Sequence, residues 1–414
     1  MCTPAPAAVV TQLPAIDPMT SQPPARGAAT HSRPLPRRAL AARTSFFAAA
    51  GVLVLGAAGC AEPTRSGSDP ERLLFLSSRD GGLNEFSQPI VDIYRMNSDG
   101  SAVENLTEDP DRHYGGMSPS PDGRKVVFFS TRSTGANIWV MNTDGSGLTQ
   151  LTNRDGGHAD GSNAGPRWSP DGTRIAFVTN REGRSLGSST GVYDVYVMNA
   201  DGSNPHNVGS QLGAGLGSNP EVVGWTPNGR VVFRTSDVVN QVSQRRVYVV
   251  NADGTGLQPL MPMNDYSPAW SPDGSRVVFI REQGERTRLF IMNADGSGVR
   301  ALTDHVVRDI LPGVDGGTST GFEYSPWSPD GGRIAFEAGS KLFVINPDGS
   351  GLHQVTPSWG TFNGWSPDGG RIAFTKGEAT GQGRDVFVVN ADGTGLVNLT
   401  NHPAEDINAV WLRR

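Results

Sequence analysis

The chain has 414 residues, of which 53 are Gly and 30 Pro, with 18% charged residues and a formal net charge of −6. So much Gly and Pro leaves little room for long helices and suits many short strands joined by tight turns. The balance is mildly acidic and no basic block follows residue 45, which argues against nucleic acid as a partner.

The first segment reads as an address. Arg33, Arg37, Arg38 and Arg43 precede an uncharged apolar run, FFAAAGVLVLGAA, from Phe46 to Ala58. A basic region, a short apolar stretch and small residues before a cut form a signal peptide, and the run is short for a membrane-spanning helix. Ala57-Ala58-Gly59-Cys60 resembles the bacterial lipobox, in which the cysteine is lipidated; Ala57 stands where Leu is usual. Residues 1–59 are therefore expected to be the leader, with Met19 an alternative start, and Cys60 to carry the lipid. The pair Arg37-Arg38 is compatible with either general or twin-arginine export. Residues 60–70 form a polar tether, whose ten residues after the cysteine reach at most roughly 35 Å when extended. The expected location is extracytoplasmic, at a membrane held through the lipid. The only other cysteine is Cys2, so the body can build neither a disulfide nor a cysteine metal site.

Beyond residue 70, two phrases recur in alternation. The first, W-S-P-D-G-x-R-I-A-F, stands at Trp168–Phe177, Trp270–Phe279, Trp327–Phe336 and Trp365–Phe374. Trp225–Phe233 is one residue shorter, and Pro119–Phe128 replaces the Trp. The second, V-Y-V-M-N-A-D-G-S-G followed by L-T, occurs seven times, with its Asn at 97, 142, 199, 251, 293, 346 and 390. In S-P-D-G, Ser suits the first position of a type I turn, Pro presets φ at the second, and Gly suits the fourth. The flanking I-A-F and V-Y-V-M segments are short, apolar and rich in β-branched and aromatic residues, as in strands buried on both faces. Each unit is thus four antiparallel strands: A ending at the Trp, B at I-A-F, C at V-Y-V-M and D at L-T. Such a sheet buries both faces only by radial stacking.

Residues 71–414 therefore predict an all-β, seven-bladed β-propeller of four-stranded antiparallel blades. Its ends predict closure as well. Arg72–Phe75 reads as a B strand with no A before it, and Asn408–Leu412 as an A strand with no B after it. Together they complete one blade and remove an open edge.

The ordered recurrence of P-x-W-S-P-D-G-x-x-I-A-F, I-Y-V-M-N-A-D-G-S and L-T resembles the repeat of the TolB-type propellers, over roughly residues 70–414. The resemblance implies the fold and leaves the partner open. Strand order puts the short A–B and C–D turns on one face of the propeller. The B–C and D–A loops fall on the other, where 78–91, 180–192, 208–223 and 304–324 are long. Variation confined to one face marks a binding face. The candidates there are His158, Asp265, Tyr266, His305, Tyr324 and His402, residues expected in loops just before A strands, near the channel mouth. Arg79, Arg132, Arg181, Arg281 and Lys376 follow B strands and could face an anionic ligand or pair with loop carboxylates. No loop has the Asp-x-Asp spacing of a calcium loop, and neither metal nor cofactor is expected.

The function expected is that of a non-catalytic binding or scaffolding protein of the bacterial cell envelope, monomeric, with an envelope protein or glycan as ligand and the membrane as a second partner through the anchor. The alternative is an extracellular polysaccharide lyase or glycoside hydrolase with its site at the channel mouth. Histidines before A strands are the feature that favours it. The two G-x-S-x-G matches, 187–191 and 317–321, lack the strand–turn–helix setting of a nucleophile elbow.

Overall fold

The fold follows from hairpins whose turns are written into the repeat. In the computed structural model, residues 71–82, 90–108, 114–133, 135–153, 163–181, 193–211, 220–239, 242–263, 265–283, 286–303, 325–339, 341–377 and 383–413 are described. Cys60, His158, His305 and Tyr324 lie outside them.

Each S-P-D-G closes as predicted. In the second blade, Gly123 N–H bonds the Ser120 carbonyl at 2.8 Å, and Ser120 Oγ donates to Asp122 at 2.5 Å. The same hydroxyl accepts the Lys125 amide at 2.9 Å. The second turn uses its own side chains. In the first copy, Asn97 Nδ2 donates to Ser101 Oγ at 2.9 Å, and both the amide and the hydroxyl of Ser101 donate to Asp99. Gly100 takes φ +84°, a left-handed conformation that glycine adopts without a steric penalty.

Seven sheets result. Blade 1 joins β27 (Asp406–Trp411), β1 (Arg72–Ser77), β2 (Asp92–Asn97) and β3 (Glu104–Asn105). Blade 2 is β4 (Tyr114–Pro119), β5 (Lys125–Ser130), β6 (Asn137–Asn142) and β7 (Thr149–Gln150). Blade 3 is β8 (Asn163–Trp168), β9 (Arg174–Thr179), β10 (Asp194–Asn199) and β11 (His206–Asn207). Blade 4 is β12 (Glu221–Trp225), β13 (Arg230–Val239), β14 (Val242–Asn251) and β15 (Gln258–Pro259). Blade 5 is β16 (Asp265–Trp270), β17 (Arg276–Gln283), β18 (Arg286–Asn293) and β19 (Arg300–Ala301). Blade 6 has β20 (Ile334–Ala338), β21 (Lys341–Ile345) and β22 (His353–Gln354), and a Trp327–Ile334 bridge stands at its A position. Blade 7 is β23 (Thr361–Trp365), β24 (Arg371–Gly377), β25 (Arg384–Asn390) and β26 (Val397–Asn398).

Closure takes the predicted form. β27 pairs antiparallel with β1, with Leu73 opposite Trp411 and Ser77 opposite Asp406. Around the seam, Ser78 N–H donates to Glu405 O at 3.0 Å and Leu412 N–H to Arg72 O at 2.9 Å.

Both faces of each sheet are buried, so the core is a series of layers between neighbouring blades. Leu73 and Phe75 pack with Val386 and Val388 of blade 7, while Leu74 and Leu76 pack with Val126 and Phe128 of blade 2. The alternation along β1 is the two-residue period of a strand with an apolar layer on either side.

The repeated Trp and Arg fasten blade to blade. Nε1 of Trp168, Trp225, Trp327 and Trp365 donates to the carbonyls of Ser118, Arg167, Ala269 and Pro326, at 2.9 to 3.1 Å. Each acceptor lies in the A-strand segment of the preceding blade. Arg276, Arg333 and Arg371, from the x-R of the repeat, lie over the next blade's Trp327, Trp365 and Trp411 at 5.0 to 5.1 Å. His206 and His353 bridge outward positions in the same sense, through Nε2 to the carbonyls of Ala252 and Ala391.

Candidate functional site

The face carrying the B–C and D–A connections is underlain by a buried polar row in blades 1, 2 and 7. In blade 1, Ser77 stands between Asp92 and Asp406, and all three are buried. Thr107, the Thr of the L-T phrase, donates to Asp92 Oδ1 at 2.6 Å and accepts the Ile93 amide at 3.1 Å. Blade 2 repeats this with Asn137 and Thr152, and blade 7 with Asp385 and Thr400. The row satisfies the last strand groups before the loops begin, as buried polar groups require.

Two buried carboxylates at this level are held by arginines, Arg79 just past β1 and Arg281 within β17. Arg79 Nη2 meets Asp406 Oδ2 at 2.8 Å, and Arg281 binds Asp265 through Nε and Nη2, both at 2.6 Å. Burial pushes the Asp406 carboxyl above its ordinary range, against the pull of Ser77 and Arg79. The hydrogen bonds that Arg281 donates to Asp265 raise its guanidinium further. The cations also cap the aromatic pairs of their own blades. Arg79 lies over Phe75 and Tyr94, Arg181 over Phe177 and Tyr196, Arg281 over Phe279 and Phe290, and Lys376 over Phe387, at 4.7 to 5.4 Å. Of the two readings offered by the sequence, pairing with carboxylates describes Arg79 and Arg281, with Asp406 and Asp265 standing in A strands and not in loops.

Three of the six candidate ligand-binding residues are described. Asp265 and Tyr266 lie within β16 and not in the loop before it, and both are buried, at 3% and 8% exposure. The shift has a backbone cause. β16 carries a bulge between Tyr266 and Ala269, with Ser267 at φ +53°, which lets the ladder start two residues earlier than the apolar pattern suggests. Tyr266 joins the core between blades 4, 5 and 6. His402 does lie in a D–A connection. Its amide donates to Asp385 Oδ1 at 3.1 Å and its Nδ1 accepts the Ala404 amide at 3.1 Å. Among the described residues, no three of His, Cys, Asp and Glu come together as a metal site.

The described residues add a neighbourhood that the candidates missed. Trp359, in the D–A connection entering blade 7, is 45% exposed. Near it, Arg384 Nε donates to Glu405 Oε2 at 2.7 Å. The available signal was a Trp that falls outside the repeat.

With this geometry in hand, comparison with known proteins is informative. A TolB beta propeller domain profile matches residues 157–312. Among curated relatives, the uncharacterised peptidase YuxL of Bacillus subtilis is 29% identical over 122 residues, 29% of this chain and 17% of its own length. The uncharacterised protein Atu1656 of Agrobacterium fabrum is 28% identical over 218 residues, 49% of this chain and 68% of its own. The chain thus spans only a small part of the first relative. Among solved structures, an oligogalacturonate lyase from Vibrio parahaemolyticus superposes with a TM-score of 0.55 at 12% identity, covering 76% of this chain and 91% of that one. That likeness is one of fold. With seven blades, six of them four-stranded and the sixth completed by the Trp327–Ile334 bridge, and with this profile matched within them, the chain carries a TolB-like β-propeller.

Proposed function

We propose that the protein is a binding module that presents its B–C and D–A face to a macromolecular ligand at the bacterial cell envelope. One observation supports the reading above others. A–B connections keep to a narrow size, as in 120–124, 169–173, 226–229, 271–275 and 366–370. C–D connections do the same, as in 98–103, 143–148, 200–205, 252–257, 294–299 and 391–396. B–C connections run from 240–241 and 284–285 to 78–91 and 180–193, and D–A connections from 260–264 to 208–220. A scaffold that holds one set of turns constant while the other set varies is built as a rigid platform carrying recognition loops.

The envelope location rests on the leader pattern and on Cys60 as the lipid attachment, with 60–70 as tether; the ligand on this reading is a protein or a glycan. A photo-reactive amino acid placed at Glu282 or Pro357, exposed on the loop face, is expected to cross-link the ligand in envelope fractions. The same group at Ser101 or Asp295, exposed on the turn face, is expected to give none. Cross-links from the turn face alone would overturn the choice of face.

A further inference from the structure

We infer that the loop-face end of blade 7 is a binding platform for a neutral glycan, formed by Trp359, Gly377 and the Arg384–Glu405 pair. The inference rests on the loop-face reading and names the ligand class for it.

Trp359 stands apart from the other tryptophans. Trp168, Trp327, Trp365 and Trp411 are 2 to 7% exposed and sit between blades, whereas Trp359 is 45% exposed. It is the only aromatic among the exposed large apolar side chains of the described residues. Its position is fixed from below. A Cβ on the next residue, Gly360, would come within 2.6 Å of the Phe374 ring, so the chain there is pressed onto the blade.

Three residues then fall in a row across the blade end. The β23–β24 ladder pairs Thr361 with Thr375, so its continuation sets Trp359 abreast of Gly377. The β24–β25 ladder pairs Gly377 with Arg384. A Cβ added to Gly377 would lie 3.7 Å from Trp359 Cζ3 and 3.8 Å from Arg384 Cγ. The indole and the arginine stem therefore flank a glycine floor. Gly377 does not take a positive φ, so backbone conformation does not demand glycine here, and what the glycine supplies is room.

The polar edge is set in place from the next connection. Arg384 Nε donates to Glu405 Oε2 at 2.7 Å, and the two side chains are 45% and 33% exposed. Among the described residues, the two terminal nitrogens of Arg384 and Oε1 of Glu405 carry no hydrogen bond. A planar donor and an acceptor oxygen are thus held side by side next to an indole.

A pyranose ring presents this combination in reverse. Its C–H face stacks on the indole, and of two adjacent hydroxyls one accepts from Arg384 while the other donates to Glu405. The charges of Arg384 and Glu405 cancel, which favours a neutral sugar over an acidic one. A proline-rich peptide would call for an aromatic-lined groove, and among the described residues Trp359 is the only exposed large aromatic side chain.

The test is calorimetric titration and tryptophan fluorescence of the full chain with cellohexaose and N-acetylchitohexaose, with hexagalacturonate as the acidic comparison. At least one neutral hexasaccharide is expected to bind. Trp359→Ala and Arg384→Ala are each expected to weaken that binding at least tenfold with the melting temperature unchanged. Gly377→Ala, whose Cβ makes only ordinary contacts, should keep it, and Gly377→Gln should abolish it by filling the floor. Binding of hexagalacturonate alone, no binding of either neutral sugar, or binding that survives Trp359→Ala overturns the inference. If the loop-face photo-cross-links persist in that case, the binding-module reading stands and only the glycan platform falls.

Discussion

Trp411 offers a quantitative test of how the ring is held shut. It ends β27, is 6% exposed, and packs with Leu73, Phe75 and Ala373 at the seam between the first and last blades. Arg371 of blade 7 covers its ring at 5.1 Å. A buried Trp removes about 150–250 Å² from water, worth about 4–6 kcal/mol at about 25 cal/mol per Å². Large-to-small truncations of this residue type cost about 3–5 kcal/mol. The two figures meet near about 4 kcal/mol, a large part of a typical stability of about 5–15 kcal/mol. At about 2–4 °C per kcal/mol, Trp411→Ala should lower the melting temperature by about 8 °C or more, measured by circular dichroism at constant scan rate. Two controls sharpen the result. Trp359→Ala, at an exposed position, should change stability by no more than about 0.5 kcal/mol. Trp365→Phe breaks the Nε1–H bond to the Pro326 carbonyl and should cost about 1–2 kcal/mol from that bond, whereas Trp411 Nε1 has no hydrogen-bond partner among the described residues and loses none in Trp411→Phe. A Trp411→Ala protein that melts within 2 °C of the parent, by the same scale of about 2–4 °C per kcal/mol, would refute the seam as a structural lock.

Other perturbations probe the remaining parts. Arg79→Ala leaves the Asp406 carboxylate, with a fully buried side chain, without its cation, and should cost about 3–5 kcal/mol in urea unfolding; the Arg79→Ala/Asp406→Ala double variant should recover part of it. Hydroxyl and amide hydrogen bonds from Ser271 and Ser275 hold Asp273 down at about 2, and the aspartates of the Asn-x-Asp-Gly turns, such as Asp99 and Asp201, are lowered likewise. A depressed carboxyl stabilises the fold above its unfolded value near 3.8 and loses that contribution as pH falls through its folded value. The melting temperature should therefore hold down to about pH 4 and drop between about pH 4 and 2; a flat profile to pH 2 would contradict the role given to these turns. His402→Ala should weaken loop-face cross-linking with little change in melting, whereas Tyr266→Ala should lower the melting temperature because that ring is in the core. Cys60→Ala should release the protein from the membrane fraction, and an unchanged distribution would remove Cys60 as the anchor.

What could be read from the chain itself was whatever is decided locally or by repetition. Ser-Pro-Asp-Gly and Asn-x-Asp-Gly-Ser specify their turns within a few residues, so strands B and C and the number of blades were legible from the repeat alone. Closure was legible too, because the lone B strand and the lone A strand each supply what the other's blade lacks, and β27 does pair with β1. The inner strand was less so. The bulge at Ser267 carried Asp265 and Tyr266 out of an expected loop and into β16, since a bulge depends on the partner strand as well as on the bulged one. Only the tertiary structure revealed that Trp168, Trp225, Trp327 and Trp365 donate to the blade before them while Arg276, Arg333 and Arg371 reach to the Trp of the blade after them. The platform at blade 7 likewise joins Trp359 and Glu405, from two separate connections, with Gly377 at the end of β24 and Arg384 at the start of β25. Periodicity fixes which residues share a strand face. Which groups meet between blades is set by the rotation from one sheet to the next, and no local pattern encodes that rotation.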